Sequence, residues 1–207
     1  NLNYRLRVGI APALEDVRKA LVYLAEHNEK LKLDLQHVFL AGTSAGGFMS
    51  MFHGAAQNSG GPNERLPEAL RVAGVINIVG GGTGCYGLYK HLVGHKHPFW
   101  QKVGRSLVAD HARAEELMAE VCPSQHFDAG DPPVFLAHGE RDEFGPPERY
   151  RDIEARLRGH GTVVERVGYP NSGHTFIQRD WEDLFPRVIA FIKRHSAPVE
   201  AAGAEQR

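Results

Sequence analysis

Five short apolar runs alternate with amphipathic helical stretches along this 207-residue chain, and that alternation predicts an α/β fold with a mostly parallel sheet and helices on both faces. The run Val38-Phe-Leu-Ala41 passes directly into Gly42-Thr-Ser-Ala-Gly46-Gly47, giving a strand, a sharp turn and a helix in succession. With 42% hydrophobic and 24% charged residues, the chain suits one domain with a sizeable core. A net charge of −1 without basic runs gives no electrostatic reason to expect nucleic acid or an anionic membrane surface as partner. No apolar run reaches transmembrane length. Cys85 and Cys122 are too few for a disulfide framework and form no C-x-x-C motif, so a reducing compartment and a cytoplasmic localisation are expected.

In chain order, Asn1 to Val8 alternates apolar and polar residues as the end of a strand would. From Ala13 to about Lys30, Leu14, Val17, Leu21 and Leu24 share one helical face, with Glu15 and Asp16 expected in the first turn. Val38–Ala41 is the next strand, followed by a helix from Ser44 to about Ala56 whose Phe48, Met49, Met51 and Phe52 read as core. Asn58 to Pro67 is a loop, and Arg71 to Val79 another buried strand. Gly80 to about Asp131 is the least regular stretch. Its Tyr86, Tyr89, Phe99 and Trp100, with a short helix from Ala109 to Glu120, read as a small cap-like insert at about 80–131. Pro132 to His138 is a strand entered through prolines, Pro146 to Arg158 a helix, and Thr162 to Val167 the last strand. A closing helix places Trp181, Leu184, Val188 and Ile192 on one face. The domain thus spans 1–196, and 197–207 reads as a disordered tail.

The chemistry concentrates at Ser44. A serine at the tip of a strained strand-to-helix turn needs residues without bulk two positions either side, and Gly42 and Gly46 are expected to supply that room. So exposed, the Ser44 hydroxyl can meet a histidine on one side and a substrate carbonyl on the other, with the Ala45 backbone N–H aimed at the developing oxyanion. A plain glycine-rich turn is the bland alternative. Asp142 lies just past the end of the Pro132–His138 strand and His174 in the loop leaving the last strand, so a parallel sheet would bring both to the serine's edge. Asp142 could instead cap the following helix, His174 could be one of twelve ordinary histidines, and Glu140 and Glu143 are rival carboxylates. Two other motifs carry less. Gly82-Thr-Gly84-Cys-Tyr-Gly87 matches the dinucleotide fingerprint formally but lacks the helix, second strand and acidic residue that the fingerprint needs. His91, His95 and His97 suggest a metal, but Gly94 and Pro98 break the helix that would align them, and no site is assigned.

Tyr4-Arg5-Leu6, Glu15-Asp16-Val17, Gly42-Thr-Ser-Ala-Gly-Gly47, His138-Gly139 with Asp142, and Gly173-His174 resemble an α/β-hydrolase of the carboxylesterase and hormone-sensitive-lipase-like group, over Asn3 to His195. The order Ser44, Asp142, His174 is the order of that fold. The resemblance implies a three-layer α/β-hydrolase fold and a serine esterase on small or medium carboxylic esters. Ser44 would be the nucleophile, His174 general base and then acid, and Asp142 the holder of the imidazole tautomer. It implies no cofactor, and a small-molecule ester as the partner. An arylformamidase or peptidase variant, or a non-catalytic hydrolase-like binding module, remains an alternative. One departure stands out: the family's His-Gly-Gly-Gly loop, which completes the oxyanion hole upstream of the Tyr-Arg-Leu strand, is not in this sequence. The chain therefore reads as the C-terminal part of a longer hydrolase, with an unpaired apolar edge expected at Val38–Ala41.

Overall fold

The computed structural model describes residues 1–59, 65–176 and 178–196. Its centre is a four-stranded sheet, β1 (Val38–Thr43), β2 (Val72–Ile78), β3 (Val134–Gly139) and β4 (Val164–Tyr169), arranged in that order with every pair parallel. β2 and β3 are buried along their whole length, which explains why they read as continuous apolar runs rather than as alternations. β1 forms an edge, paired with β2 alone among the described residues, and Ala41 and Thr43 are exposed on it.

Helices cover both faces of this sheet, giving three layers. α1 (Ile10–Glu26), α3 (Ala45–Ser59) and α7 (Pro147–Gly159) lie on one face, where Leu14, Leu21, Met51, Ile153 and Leu157 meet Val75 and Leu136. α8 (Gln178–Ser196) covers the other, with Leu184 and Phe191 against Ile76, Phe135 and Ala137. Burying each such large apolar side chain stabilises the fold by about 2 kcal/mol. The inward stripe of α8 differs from the expected one. Phe191 is fully buried and Trp181 stays 39% exposed against Phe176, because the helical turn from Leu184 reaches the sheet again seven residues on.

Other expectations need correction too. Asn1 to Val8 is not a strand: among the described residues no strand lies beside it to complete a ladder, and the segment is held instead by Arg5, whose guanidinium donates twice to the Asp16 carboxylate. That pairing keeps the Asp16 carboxyl down at about 2. α1 starts at Ile10, so Glu15 and Asp16 lie beyond its first turn, and a short α2 (Asn28–Leu31) follows after a break at His27. The loop expected at Asn58 to Pro67 loses Asn58 and Ser59 to α3, and its residues 60–64 lie outside the described residues, as does the expected tail 197–207.

A further correction concerns the cysteines. Cys85 and Cys122 are disulfide-bonded, which removes the argument for a reducing compartment. The bridge joins α4 (Cys85–Val93) to the turn after α6 (Ala114–Glu120), within the irregular stretch between β2 and β3. α5 (Pro98–Arg105) lies between them, with His97 as its N-cap accepting from the Phe99 N–H. α4 stops at Gly94, as the sequence indicates. The helix expected from Ala109 is α-helical only from Ala114, because Asp110 caps a preceding 3-10 turn at His111–Arg113. No described helix is long and apolar enough to cross a membrane.

Candidate active site

Ser44 sits between the last residue of β1 and the first of α3 with a φ of 55°, the left-handed region that a residue with a side chain adopts at a cost of about 1–3 kcal/mol. Two hydrogen bonds hold it there. Its N–H donates to the Ile78 carbonyl of β2 at 2.8 Å, and its own carbonyl accepts from Phe48 N–H at 3.0 Å, which starts the helix. The glycines of the motif divide their roles unequally. A Cβ on Gly42 would run into the Gly46 backbone, 2.7 Å from its Cα and closer still to its carbonyl, whereas a Cβ on Gly46 would meet nothing within 4 Å among the described residues. Of the two glycines flanking Ser44, it is Gly42 that supplies room for strand and helix. Gly47 must also lack a side chain, since its Cβ would fall 2.6 Å from the Asn77 Oδ1. That buried Asn77 oxygen accepts from Gly80 N–H and so shapes the turn beyond β2, where Val79 is held at a φ of 48°.

The structure brings Asp142 and His174 to the same sheet edge. His174 Nδ1 donates to Asp142 Oδ2 at 2.9 Å, and the Ser44 hydroxyl donates to His174 Nε2 at 2.8 Å. The directions follow from the acid. Asp142 is buried and its Oδ1 already accepts from the N–H groups of Phe144 and Gly145, so a carboxylate at that point can only accept, and Nδ1 carries the proton. Gly139 allows the two loops to meet, because any Cβ there would overlap the backbone of Ser172 and Gly173, the residues leading into His174. The Arg141 N–H donates to the Ser172 carbonyl at 2.9 Å, and the Ser172 hydroxyl in turn donates to Asp180 of α8, fixing the loop from both sides.

The rival carboxylates fall elsewhere. Glu140 Oε1 lies 3.2 Å from Nε2 of the buried His138, whose imidazole is held below its usual pKa by desolvation, and Glu143 is exposed. Of the three histidines considered for metal, His91 and His95 pack their rings against Phe144 and His97 caps α5; no group of three metal-binding side chains occurs among the described residues.

Ser44, Ala45 and His174 open onto a cavity of about 130 Å³. Its walls are almost wholly apolar, and the segment that reads as a cap contributes six side chains, Leu88, Leu92, Trp100, Val103, Leu107 and Met118. Phe48, expected as core only, also lines it. The Phe144 ring stands edge-to-face on the His174 imidazole at 5.1 Å and is itself covered by Trp100 at 4.4 Å, which shields the histidine from solvent. Ala45 is the first residue of α3, so its N–H is one of those with no intrahelical acceptor and points out of the helix beside the serine. Sequence reading missed Arg149 and Tyr150 of α7, which also line the cavity. A signal existed for Arg149: it stands four and eight residues before Ile153 and Leu157, on the buried stripe of its helix.

Residues 1–157 match the sequence profile of BD-FAE, an α/β-hydrolase family. The chain belongs to the BD-FAE family. Within its wider relationships, it is 28% identical to the esterase LipC of Mycobacterium tuberculosis over 165 residues, which are 78% of this chain and 40% of that protein. It is 26% identical over 148 residues to LipM of the same organism, described as a probable carboxylic ester hydrolase, covering 69% of this chain and 33% of that one. The chain therefore spans well under half of the curated relatives it matches. Among solved structures, a bifunctional GH43-CE protein of Bacteroides eggerthii superposes with a TM-score of 0.73 at 22% identity over 91% of this chain and 28% of its own. Esterase Est2 of Thermogutta terrifontis gives 0.67 at 20% identity, covering 97% and 71%. At those identities the superpositions speak for the BD-FAE member's fold.

Proposed function

We propose that this BD-FAE member is a serine hydrolase that cleaves small or medium carboxylic esters through an acyl-enzyme. The observation that carries the reading is the continuous hydrogen-bonded line from Asp142 through His174 to a strained Ser44 at the mouth of an apolar cavity. In this reading Ser44 Oγ attacks the ester carbonyl carbon while His174 Nε2 takes the hydroxyl proton. The carbonyl oxygen becomes an oxyanion that Ala45 N–H stabilises. When the tetrahedral centre collapses, the alcohol leaves with the proton from His174 and the acyl group stays on Ser44. Water then enters, gives its proton to His174, and releases the carboxylic acid as the serine recovers its hydrogen. Asp142 keeps the Nδ1–H tautomer throughout and stabilises the imidazolium. The low polarity of the cavity strengthens each of these interactions and suits a short apolar acyl or alcohol group.

A serine-directed fluorophosphonate tests the reading directly. The parent protein should label, Ser44→Ala should not, and the same substitution should lower turnover of a 4-nitrophenyl short-chain ester by roughly four to six orders of magnitude. Labelling at another serine, or a Ser44→Ala protein within tenfold of the parent, would end it.

A further inference from the structure

α7 carries four arginines. Three of them, Arg151, Arg156 and Arg158, are exposed and each pairs with a carboxylate of its own helix, Glu148, Asp152 and Glu154. The fourth, Arg149, is half-buried in the wall of the cavity beside Ser44 and has no carboxylate within ion-pair distance among the described residues. That is the reverse of what solvation favours, since a cation withdrawn from water needs a counter-charge more than an exposed one does. Asp142, an acid near enough for its charge to be felt, has both oxygens committed to His174 and to two backbone N–H groups. Burial correspondingly lowers the guanidinium's hold on its proton.

Among the described residues the Arg149 side chain makes one hydrogen bond, from Nη1 to the Phe144 carbonyl at 2.7 Å. A neutral amide could serve that carbonyl as well. The bond anchors the guanidinium beside the residue whose ring packs on His174, and leaves the other N–H groups of a planar fork without an acceptor among the described residues. Apart from the His174 imidazole, it is the one basic side chain among the described residues of a lining that is otherwise nearly all hydrocarbon.

We propose that Arg149 is a specificity-determining residue that selects esters bearing a carboxylate, in either the acyl or the alcohol part, seated in this cavity. The substrate's carboxylate supplies the counter-charge that the protein withholds, by a bidentate, charge-assisted pair in a water-poor site. An apolar cavity without this cation would reject such a substrate, because the carboxylate would be desolvated unpaired. The proposal rests on the esterase reading above, and the test separates the two.

Steady-state kcat/KM is measured for two matched pairs: monoethyl adipate against ethyl hexanoate, which places the carboxylate in the acyl part, and 4-acetoxybutanoate against butyl acetate, which places it in the alcohol. The variants are Arg149→Gln, which keeps a donor for the Phe144 carbonyl but no charge, and Arg149→Lys, which keeps the charge. For one pair, the anionic-to-neutral ratio should fall roughly 10- to 100-fold in Arg149→Gln and by less in Arg149→Lys, which keeps the charge but not the fork; the responding pair identifies where the carboxylate sits. If Arg149 only braces the Phe144 loop, both members of each pair will change together and the ratios will not move, which overturns the proposal. The parent alone gives a second reading that needs no folded variant: anionic ratios below about a hundredth in both pairs also overturn it, since that is the rejection expected of an uncharged apolar site. Loss of fluorophosphonate labelling at Ser44 together with no turnover of any of the four esters overturns the esterase reading and this one with it, whereas labelling with unmoved ratios removes only the role of Arg149.

Discussion

Exchanging each motif glycine for alanine separates the two physical roles that the G-x-S-x-G pattern combines. At Gly42 the new methyl would lie 2.7 Å from the Gly46 Cα and nearer to its carbonyl, all of it backbone that cannot rotate away. Relief requires β1 and α3 to separate at the elbow, against the Ser44 N–H to Ile78 bond and the packing of Met51 and Phe52 beneath. Overpacking of this kind costs about 1–3 kcal/mol, and with backbone on the receiving side the upper end applies. At Gly46 the methyl meets nothing within 4 Å, and the position is helical, so alanine should stabilise by about 0.5–1 kcal/mol through the smaller entropy lost on folding. Urea denaturation reads both. With a slope of about 2 kcal/mol per molar, Gly42→Ala should move the midpoint down by about 1.5 M and Gly46→Ala up by about 0.25–0.5 M. The Gly42→Ala protein should also lose fluorophosphonate labelling, as the serine leaves hydrogen-bond reach of His174. Equal destabilisation by the two substitutions, or a Gly42→Ala protein as stable as the parent, would refute the steric argument.

Three more outcomes are expected. Asp142→Asn should slow fluorophosphonate labelling by about 10⁴-fold, because an amide NH2 can hold the wrong tautomer, while Glu140→Gln and Glu143→Gln should stay within about threefold; a crippling Glu140→Gln would reassign the acid. The Cys85–Cys122 bridge closes a separation of 37 residues, for which the chain-entropy estimate is about 4 kcal/mol, so the double serine variant should unfold at clearly lower denaturant than the parent, and no shift would argue against the bridge. Burial raises the Asp131 carboxyl to about 7, above its ordinary range near 4, so the folded state holds a proton that the unfolded state has released. Stability should therefore decline from about pH 4 to about pH 7 and level off above, and Asp131→Asn should remove that slope; an unchanged pH profile in the variant would contradict it.

Much of this protein is written in local pattern. The strand, turn and helix around Ser44, the sheet runs at Val72–Ile78 and Val134–Gly139, and the stop of α4 at Gly94 depend on neighbours in sequence, where backbone sterics and side-chain periodicity act directly. Asp142 and His174 could be named from their places after strands, because parallel strands deliver their following loops to one edge. Other features required the folded chain. The alternation of Asn1 to Val8 looks like a strand, but a strand needs a partner that local sequence cannot guarantee. The pairing of Cys85 with Cys122 depends on how α4 and α6 approach across intervening residues, and a count of cysteines carries no distances. Glu140 and Asp142 differ by two residues in the chain, yet only the turn after β3 decides that one carboxylate faces His174 and the other His138. The unequal roles of Gly42 and Gly46, and the solitary charge of Arg149 inside an apolar wall, are likewise properties of three-dimensional packing: each depends on what stands within a few ångströms, and those neighbours come from segments brought together only when the sheet and its covering helices assemble.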